Sequence, residues 1–406
     1  MNNLSILYIG IKDGLDIYSI EISNNLRQLL STCGQLHLLG NLFAKESYLE
    51  DEFYDLIVVQ NSFSFIHYKE YFKRLRKSPV LFVSTTNHLG SYIAPFKNLY
   101  GVINMGDASL SAFGIPEEMQ LHLSFPVEKM GNYYVYKQKV EVYRIVYCPT
   151  GNMITNTDLK LLTFLQQTNA LLTIVSDEYF CLNQALPPFV TIVSRSSWFS
   201  VYKKAHLVVA SEQDVVRALA LCKPCVVMGD YGLGGLVTLE NYAQLQSVSF
   251  KGRNGGCFGE LVPVALLESE IRKVVAFDQQ DISQAIQKQV LLTYGKKVFT
   301  TLIMQEIMRI TDLAMFLNNR QKRLLVKPCL SSLFALEAVE DKQYLIRGLN
   351  CFGELDQEMI ELLRQCDGTV SVQELAGRNG YDREDSEILW TNLCELWKVK
   401  LILFIL

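Results

Sequence analysis

YKKAHLVVASEQDVVRALALCKPCVVMGDYGLGGLV, residues 202–237, reads as a strand, a helix and a second strand. AHLVVAS is a short aliphatic run that ends in a polar turn. DVVRALALC carries apolar residues at helical spacing, and PCVVMG is another aliphatic run that closes on glycine. Neither run alternates apolar with polar residues, so each strand is covered on both faces, as in a parallel sheet flanked by helices. The chain just before it repeats the arrangement: YRIVYCPTG, ALLTIVSD and FVTIVSR are strands ending in Gly, Asp or Arg, with helical LKLLTFLQQTN after the first.

The first 125 residues have the same rhythm. LSILYIG (Leu4 to Gly10), LHLLG, YDLIVVQN, PVLFVSTTN and YGVINMG are strands, and IYSIEISNNLRQLLSTCG is a helix that stops at Gly34. Two such series give an α/β chain with two doubly wound, Rossmann-like domains, in which ligands bind beyond the carboxyl ends of the strands. The hinge-like VEKMGNYYVYKQKVEVY separates the series, and the long helical GKKVFTTLIMQEIMRITDLAMFLNN follows the second. The last 75 residues change character. Two short strands (SLFALEAV, QYLIRGL), a helix opening at Leu355-Asp356, the turn CDGT, helices from Ser371 and Asp382 and a terminal VKLILFIL make a small winged-helix domain. The expected bodies are residues 1–128, 129–318 and 319–406.

Composition narrows the function. Of 406 residues, 49% are hydrophobic and 20% charged, with a net charge of -4, which excludes disorder along most of the chain and the basic footprint of a dedicated nucleic-acid binder. No apolar run reaches the ~18 residues that span a bilayer, and the first residues lack the basic segment of a signal peptide, so a cytoplasmic location is expected. Of ten Cys, only Cys222 and Cys225 have CxxC spacing, and that pair runs straight into a strand. Reduced thiols fit better than a disulfide framework or a zinc site. RQKRLLVKP, before the last domain, reads as a solvated linker, with anion or membrane contact as the other use of its charges.

LYGVINMGDASLSAFGIPEEMQLHLSFPV, residues 99–127, resembles the end of the first domain in the GT-B glycosyltransferases, especially their large retaining family 4. There a strand ends in a small polar turn, a short helix follows, and G-I-P leads to a further strand. Residues 202–237 resemble the run with A-D-L and E-A-L-A-L-G-K-P in the second domain of the same enzymes. The resemblance covers about 300 residues and implies an acceptor-side first domain, a nucleotide-sugar-side second domain, and transfer of a sugar, with retention, from a nucleotide-sugar.

A donor diphosphate held without metal needs backbone N–H groups and fixed cations. Gly10 and Gly14, after the first strand, offer one glycine-bearing turn, although tight strand-to-helix turns need glycines too. Gly229, Tyr231, Gly232, Gly234 and Gly235, in GDYGLGG, offer a denser one, where phosphate contact is expected. For the departing diphosphate the resemblance points to cations on second-domain loops: Arg195 at the end of FVTIVSR, and Lys251 and Arg253 in KGRNGG, which also reads as an exposed solubility loop. His88, in STTNHLG, matches by position a histidine near the sugar in family 4; alone, it reads as a satisfied polar residue.

One departure stands out. Family 4 places a ribose-binding Glu just before the A-L-A-L helix, and here that position is Arg217, which has no acceptor lone pair. Glu212 and Asp214 lie nearby and are the candidate substitutes. The expected loops carry no Asp-x-Asp motif, so catalysis without divalent metal is expected, with no cofactor besides the nucleotide-sugar co-substrate.

GELDQEMIELLRQCDGTVSVQELAGRNGYDREDSEILWTNLCELWKVKLILF, residues 353–404, resembles the PqqD-like winged helix that binds leader peptides in ribosomal-peptide modification. The carrying residues are Leu355-Asp356, Ile360, Leu363, the turn Cys366-Asp367-Gly368-Thr369, Val372 and Leu375. Such modules take up an extended peptide as an added strand. Packing or dimerisation is the plainer role; reading DNA conflicts with Glu374, Asp382, Glu384, Asp385 and Glu387 on the helices. The expectation is a glycosyltransferase whose acceptor is a ribosomal peptide recruited by residues 330–406. The alternatives are a catalytically degenerate scaffold that binds a partner, and an enzyme acting on surface glycan or lipid.

Overall fold

The structure, a computed structural model, describes residues 4–10, 17–39, 53–60, 78–85, 97–105, 110–128, 131, 133, 143–149, 170–176, 187–276, 279–339, 342–347 and 350–406. The chain forms two compact units, Met1–Leu123 with Thr300–Leu406, and Ser124–Phe299.

The first unit is built on six parallel strands, β1 (Leu4–Ile9), β2 (Gly34–Leu39), β3 (Leu56–Gln60), β4 (Val80–Ser84), β5 (Leu99–Asn104) and β6 (Gln120–His122). Their order is β2-β1-β3-β4-β5-β6, which reverses direction between β1 and β3. β3, β4 and β5 are buried along their whole length, as their unbroken apolar runs require. Helix α1 (Ile17–Cys33) buries Ile22, Leu26 and Leu30, spaced four apart on one face, and contacts β1 and β2.

The C-terminal residues belong to the same unit. A three-stranded antiparallel sheet of β14 (Ala335–Val339), β15 (Lys342–Arg347) and β16 (Asn350–Glu354) leads into α7 (Gln357–Gln365), α8 (Val372–Arg378) and α9 (Arg383–Lys398), and β13 (Lys327–Leu330) pairs with β17 (Ile402–Ile405). Local chemistry sets each helix start. Asp356 accepts from the Met359 amide, Ser371 and Glu374 form a reciprocal capping box, and Asp382 accepts from the Glu384 and Asp385 amides. In the CDGT turn Gly368 takes a φ of 80° and Asp367 accepts from Thr369 N at 2.8 Å.

Residues 319–406, expected as a separate body, are anchored on the first sheet by packing that local patterns cannot reveal. Leu403 is buried in the apolar cluster of Leu7, Ile57, Val102 and Met119. The carboxylate of Glu118 accepts from Ser332 N at 3.0 Å and Ser332 Oγ at 2.8 Å. Gly114, at φ 88°, lies under Arg347: a Cβ there would be 2.6 Å from its guanidinium. The basic connector is also tied down. Arg320 and Arg323 both pair with Glu387, and Arg323 stacks over Trp390 at 5.4 Å. Trp390 and Trp397 both pack on Phe404, as core residues do.

The second unit has β7 (Tyr143–Tyr147), β8 (Ala170–Val175), β9 (Val190–Val193), β10 (Leu207–Ala210) and β11 (Cys225–Gly229) in parallel, with β12 (Gly232–Leu236) antiparallel to β11. Their order is β12-β11-β10-β7-β8-β9. Helices α2 (Trp198–Lys204), α3 (Glu212–Ala220), α4 (Val264–Ala276) and α5 (Gln280–Tyr294), with a short helix at Tyr242–Ser247, pack in the same unit. One core cluster gathers Val208, Val215, Leu219, Ile286 and Val290, and another gathers Val209, Val226, Leu267 and Ile271, so alternate residues of β10 face opposite layers. Helix α6 (Lys296–Asn318) continues the chain into the first unit. Among the described residues, no helix is long and apolar enough to cross a membrane, and the eight cysteines whose side chains are described are free.

Candidate active site

In the second sheet the strand order turns back between β7 and β10, which opens a crevice at their carboxyl ends. Cys148-Pro149 and Ser211-Glu212 stand there. Arg195 reaches the crevice from the far strand. FVTIVSR runs out of β9 at Ser194, whose hydroxyl accepts from Ser196 N and so turns the chain into a short 3-10 helix beginning at Arg195. The Arg195 guanidinium then donates from Nη2 to the Pro149 carbonyl at 3.1 Å and from Nη1 to Asp214 Oδ2 at 3.2 Å. Its side chain remains 22% exposed, so a solute can reach it.

Asp214, in the first turn of α3, is buried and serves two arginines. Arg217 lies one turn on, with Nη1 3.9 Å from Asp214 Oδ1 and its guanidinium 4.6 Å above the Trp198 ring. Two guanidiniums thus face one carboxylate at the carboxyl edge of the sheet. The arrangement suits a multiply charged anion. Beneath it, Cys148 Sγ is 2.8 Å from the Tyr202 hydroxyl, and burial pushes the thiol well above its ordinary pKa, so it stays protonated and is no nucleophile.

Backbone strain gathers at the neighbouring strand ends. Glu212 (φ 52°), Ser249 (φ 53°) and Phe250 (φ 56°) occupy the left-handed region without being glycine, and Glu212 N donates to the Phe250 carbonyl at 3.0 Å. Such geometry costs of order 1–3 kcal/mol per residue and concentrates at ligand sites. Glu212 is thereby fixed at the start of α3, beside the crevice, whereas Asp214 is committed to its two arginines.

The glycine cluster lies in a hairpin. Gly229, Gly232, Gly234 and Gly235 do not form a strand-to-helix turn: Asp230 and Tyr231 turn a hairpin, and Gly232–Leu236 return as β12 beside β11. The reason is close backbone packing. A Cβ on Gly229 would be 2.4 Å from the Lys251 carbonyl oxygen, one on Gly234 2.7 Å from that of Gly252, and one on Gly256 2.2 Å from that of Tyr231. Tyr231 N also donates to the Lys251 carbonyl at 2.9 Å, and Arg253 N to the Tyr231 carbonyl at 3.2 Å. Gly229, Gly234, Gly252 and Gly256 therefore let two backbone segments approach each other. Leu236 N finds its acceptor in Glu270 Oε2 at 2.8 Å. Of the cluster, Gly229 alone ends a strand that borders the crevice side, facing Ser211.

The other expected residues fall as follows. Arg253 Nε donates to both oxygens of Glu260, at 2.7 and 3.0 Å, so this cation is already engaged. Gly10 ends β1 beneath the Tyr8 ring, 2.8 Å from where a Cβ would stand; the Tyr8 hydroxyl bonds Ser23 and Gln60, and burial pushes it up to about 12. Gly14 and His88 lie outside the described residues. Sequence reasoning missed Pro149 and Trp198, because a carbonyl acceptor and an aromatic platform leave no signature of their own. Among the described residues, no group of three or more His, Cys, Asp or Glu is placed to hold a metal.

No protein-family profile matches the sequence, and no curated protein matches it. Solved structures do. Anabaena HepE in complex with UDP and glucose is 12% identical with a TM-score of 0.51, over 75% of this chain and all of that one. Its complex with UDP-glucose gives the same identity, coverage and score. The glycosyltransferase of kitacinnamycin is similar at 12% identity and a TM-score of 0.46, over the same shares. The chain has the fold of the GT-B glycosyltransferases: Rossmann-like domains with parallel sheets, here followed by a small C-terminal domain.

Proposed function

We propose that this protein is a cytoplasmic glycosyltransferase that moves a sugar from a nucleotide-sugar to a ribosomal peptide held by its C-terminal winged helix. The observation that carries the enzyme reading is Arg195, fixed across the switch point between the Pro149 carbonyl and Asp214. A diphosphate lodged at this edge meets a guanidinium already oriented, so charge that builds on the departing oxygens is stabilised with little reorganisation. In this reading Glu212 accepts from the ribose hydroxyls in place of the carboxylate that Arg217 has displaced, and Lys251 and His88 act toward the phosphates and the sugar. No divalent metal takes part, and the resemblance to family 4 favours retention. HepE, with its UDP and UDP-glucose complexes, makes uridine donors the first to try.

The acceptor half of the proposal rests on the PqqD-like pattern and on the edges of the β14-β15-β16 sheet. β16 carries an irregularity opposite Leu345 and Ile346, and its Gly353 has open space around it; β14 pairs with β15 in unbroken register. Either edge offers main-chain groups to an extended peptide. The test is to incubate the protein with UDP-glucose and any short precursor peptide encoded beside its gene. A peptide mass gain of one hexose is expected, lost with Ala338→Pro. Donor binding without any peptide modification would limit the reading to another acceptor.

A second reading, a degenerate scaffold, has one observation in its favour: the dense glycines lie in a hairpin packed against residues 251–256. Failure to bind or hydrolyse any UDP- or GDP-sugar would decide for it. The lipid-directed reading drew on the basic connector, where Arg320 and Arg323 are answered by Glu387.

A further inference from the structure

We infer that Asp214 and Arg217 are positioning residues for the donor diphosphate, acting through Arg195 in a chain that runs Trp198, Arg217, Asp214, Arg195. The inference rests on the reading that Arg195 meets the diphosphate. It gives a role to the arginine that stands where the resembling enzymes carry a carboxylate.

Each link is visible. The Arg217 guanidinium lies 4.6 Å over the Trp198 ring, a cation–π contact that ties it to α2. From there it faces Asp214 Oδ1 at 3.9 Å, while Asp214 Oδ2 receives Arg195 Nη1 at 3.2 Å. Arg217 and Asp214 have side chains only 3% and 7% exposed, whereas Arg195 at 22% is the member that solvent and ligands reach.

The charges explain why the chain needs both buried members. A lone carboxylate beside Arg195 would orient it but cancel its charge toward a phosphate. A lone guanidinium would be free to swing, since a terminal arginine loses much rotamer entropy when it binds. With Arg217 opposite, Asp214 orients Arg195 while its own charge is shared between two guanidiniums. The Pro149 carbonyl fixes the second nitrogen, so the guanidinium plane is set before the ligand arrives. Lysine at 217 would keep the charge but lose the guanidinium contact with Trp198.

The test is calorimetric titration of the whole chain with UDP and with uridine, which lacks the phosphates. Asp214→Asn is expected to weaken UDP about tenfold, the scale of a charge-assisted hydrogen bond, and to leave uridine unchanged. In an Arg195→Ala background the same change is expected to alter UDP affinity less than about twofold, because its effect passes through Arg195. Arg217→Met, which leaves the Arg195–Asp214 pair in place and guards against a misfolded Asp214 variant, is expected to weaken UDP by about threefold or more, again with uridine unchanged. Equal losses for UDP and uridine, or an Asp214 effect undiminished without Arg195, would overturn the inference while leaving the donor site standing. Uridine binding by the parent chain with no gain for UDP would overturn both.

Discussion

The indole of Trp397, in the last helix, meets the ring of Tyr100, in β5 of the first sheet, edge to face with centroids 5.2 Å apart and planes at 79°. The C-terminal domain is thereby part of the first unit and no tethered accessory. Trp397 also tilts against Phe404 at 5.9 Å, so one side chain links α9, β17 and β5. Trp397→Ala is expected to destabilise this junction by about 2 kcal/mol, less than a fully buried tryptophan because the ring is half-buried. Urea melts should register that loss, and limited proteolysis should release a fragment near residues 320–406. An unchanged melt and digest would mean the two parts are held elsewhere.

Lys223 is wholly buried in the second unit, with Nζ donating to the carbonyls of Tyr133, Lys203 (2.9 Å) and Ala205 (2.8 Å). Burial pulls its pKa down to about 8. Lys223→Met keeps the stem but leaves three carbonyls without this donor, and a loss of about 3 kcal/mol or more is expected by urea denaturation. A loss under about 1 kcal/mol would show that the carbonyls find other partners.

Cys366, at the end of α7, has its thiol pushed up to about 12, chiefly by burial. The folded state keeps this proton where the unfolded chain has lost it near pH 9. The unfolded state then binds fewer protons, so the thiol's contribution falls as pH rises from about 9, by about 1.4 kcal/mol per unit. The stability of Cys366→Ala relative to the parent should therefore climb at that slope between about pH 9.5 and 11. A pH-independent difference would contradict the burial of this thiol.

Gly234 has the Gly252 carbonyl oxygen where a Cβ would stand, at 2.7 Å. Gly234→Ala is expected to cost about 1–3 kcal/mol by forcing the hairpin and the 251–256 loop apart. If the glycines instead served only the ligand, the alanine variant would melt normally and lose UDP binding alone.

The parallel strands were legible because burial on both faces writes itself as unbroken apolar runs, as in Leu56–Gln60 and Val80–Ser84. The helix starts at Asp356, Ser371 and Asp382 were legible because capping is local chemistry. That the glycines of GDYGLGG lie in a hairpin was not legible, for a physical reason. A backbone needs glycine to approach a phosphate and equally to approach another backbone, and composition does not say which. Asp214 and Arg195 were named as candidates separately, but their pairing joins residues from two strand ends, and the anchoring of Leu403 and Trp397 on the first sheet is longer in range still. Arg217 read as a loss; its burial over Trp198 depends on tertiary structure alone.

The central claim is that a nucleotide-sugar binds at the carboxyl edge of the second sheet with its diphosphate on Arg195. Calorimetric titration of UDP-glucose and GDP-sugars into the parent chain and Arg195→Ala tests it most directly. The account predicts saturable binding of at least one donor by the parent and a loss of about tenfold or more in the variant, which should melt as the parent does. Equal affinity in both proteins, or no binding to the parent, would contradict it.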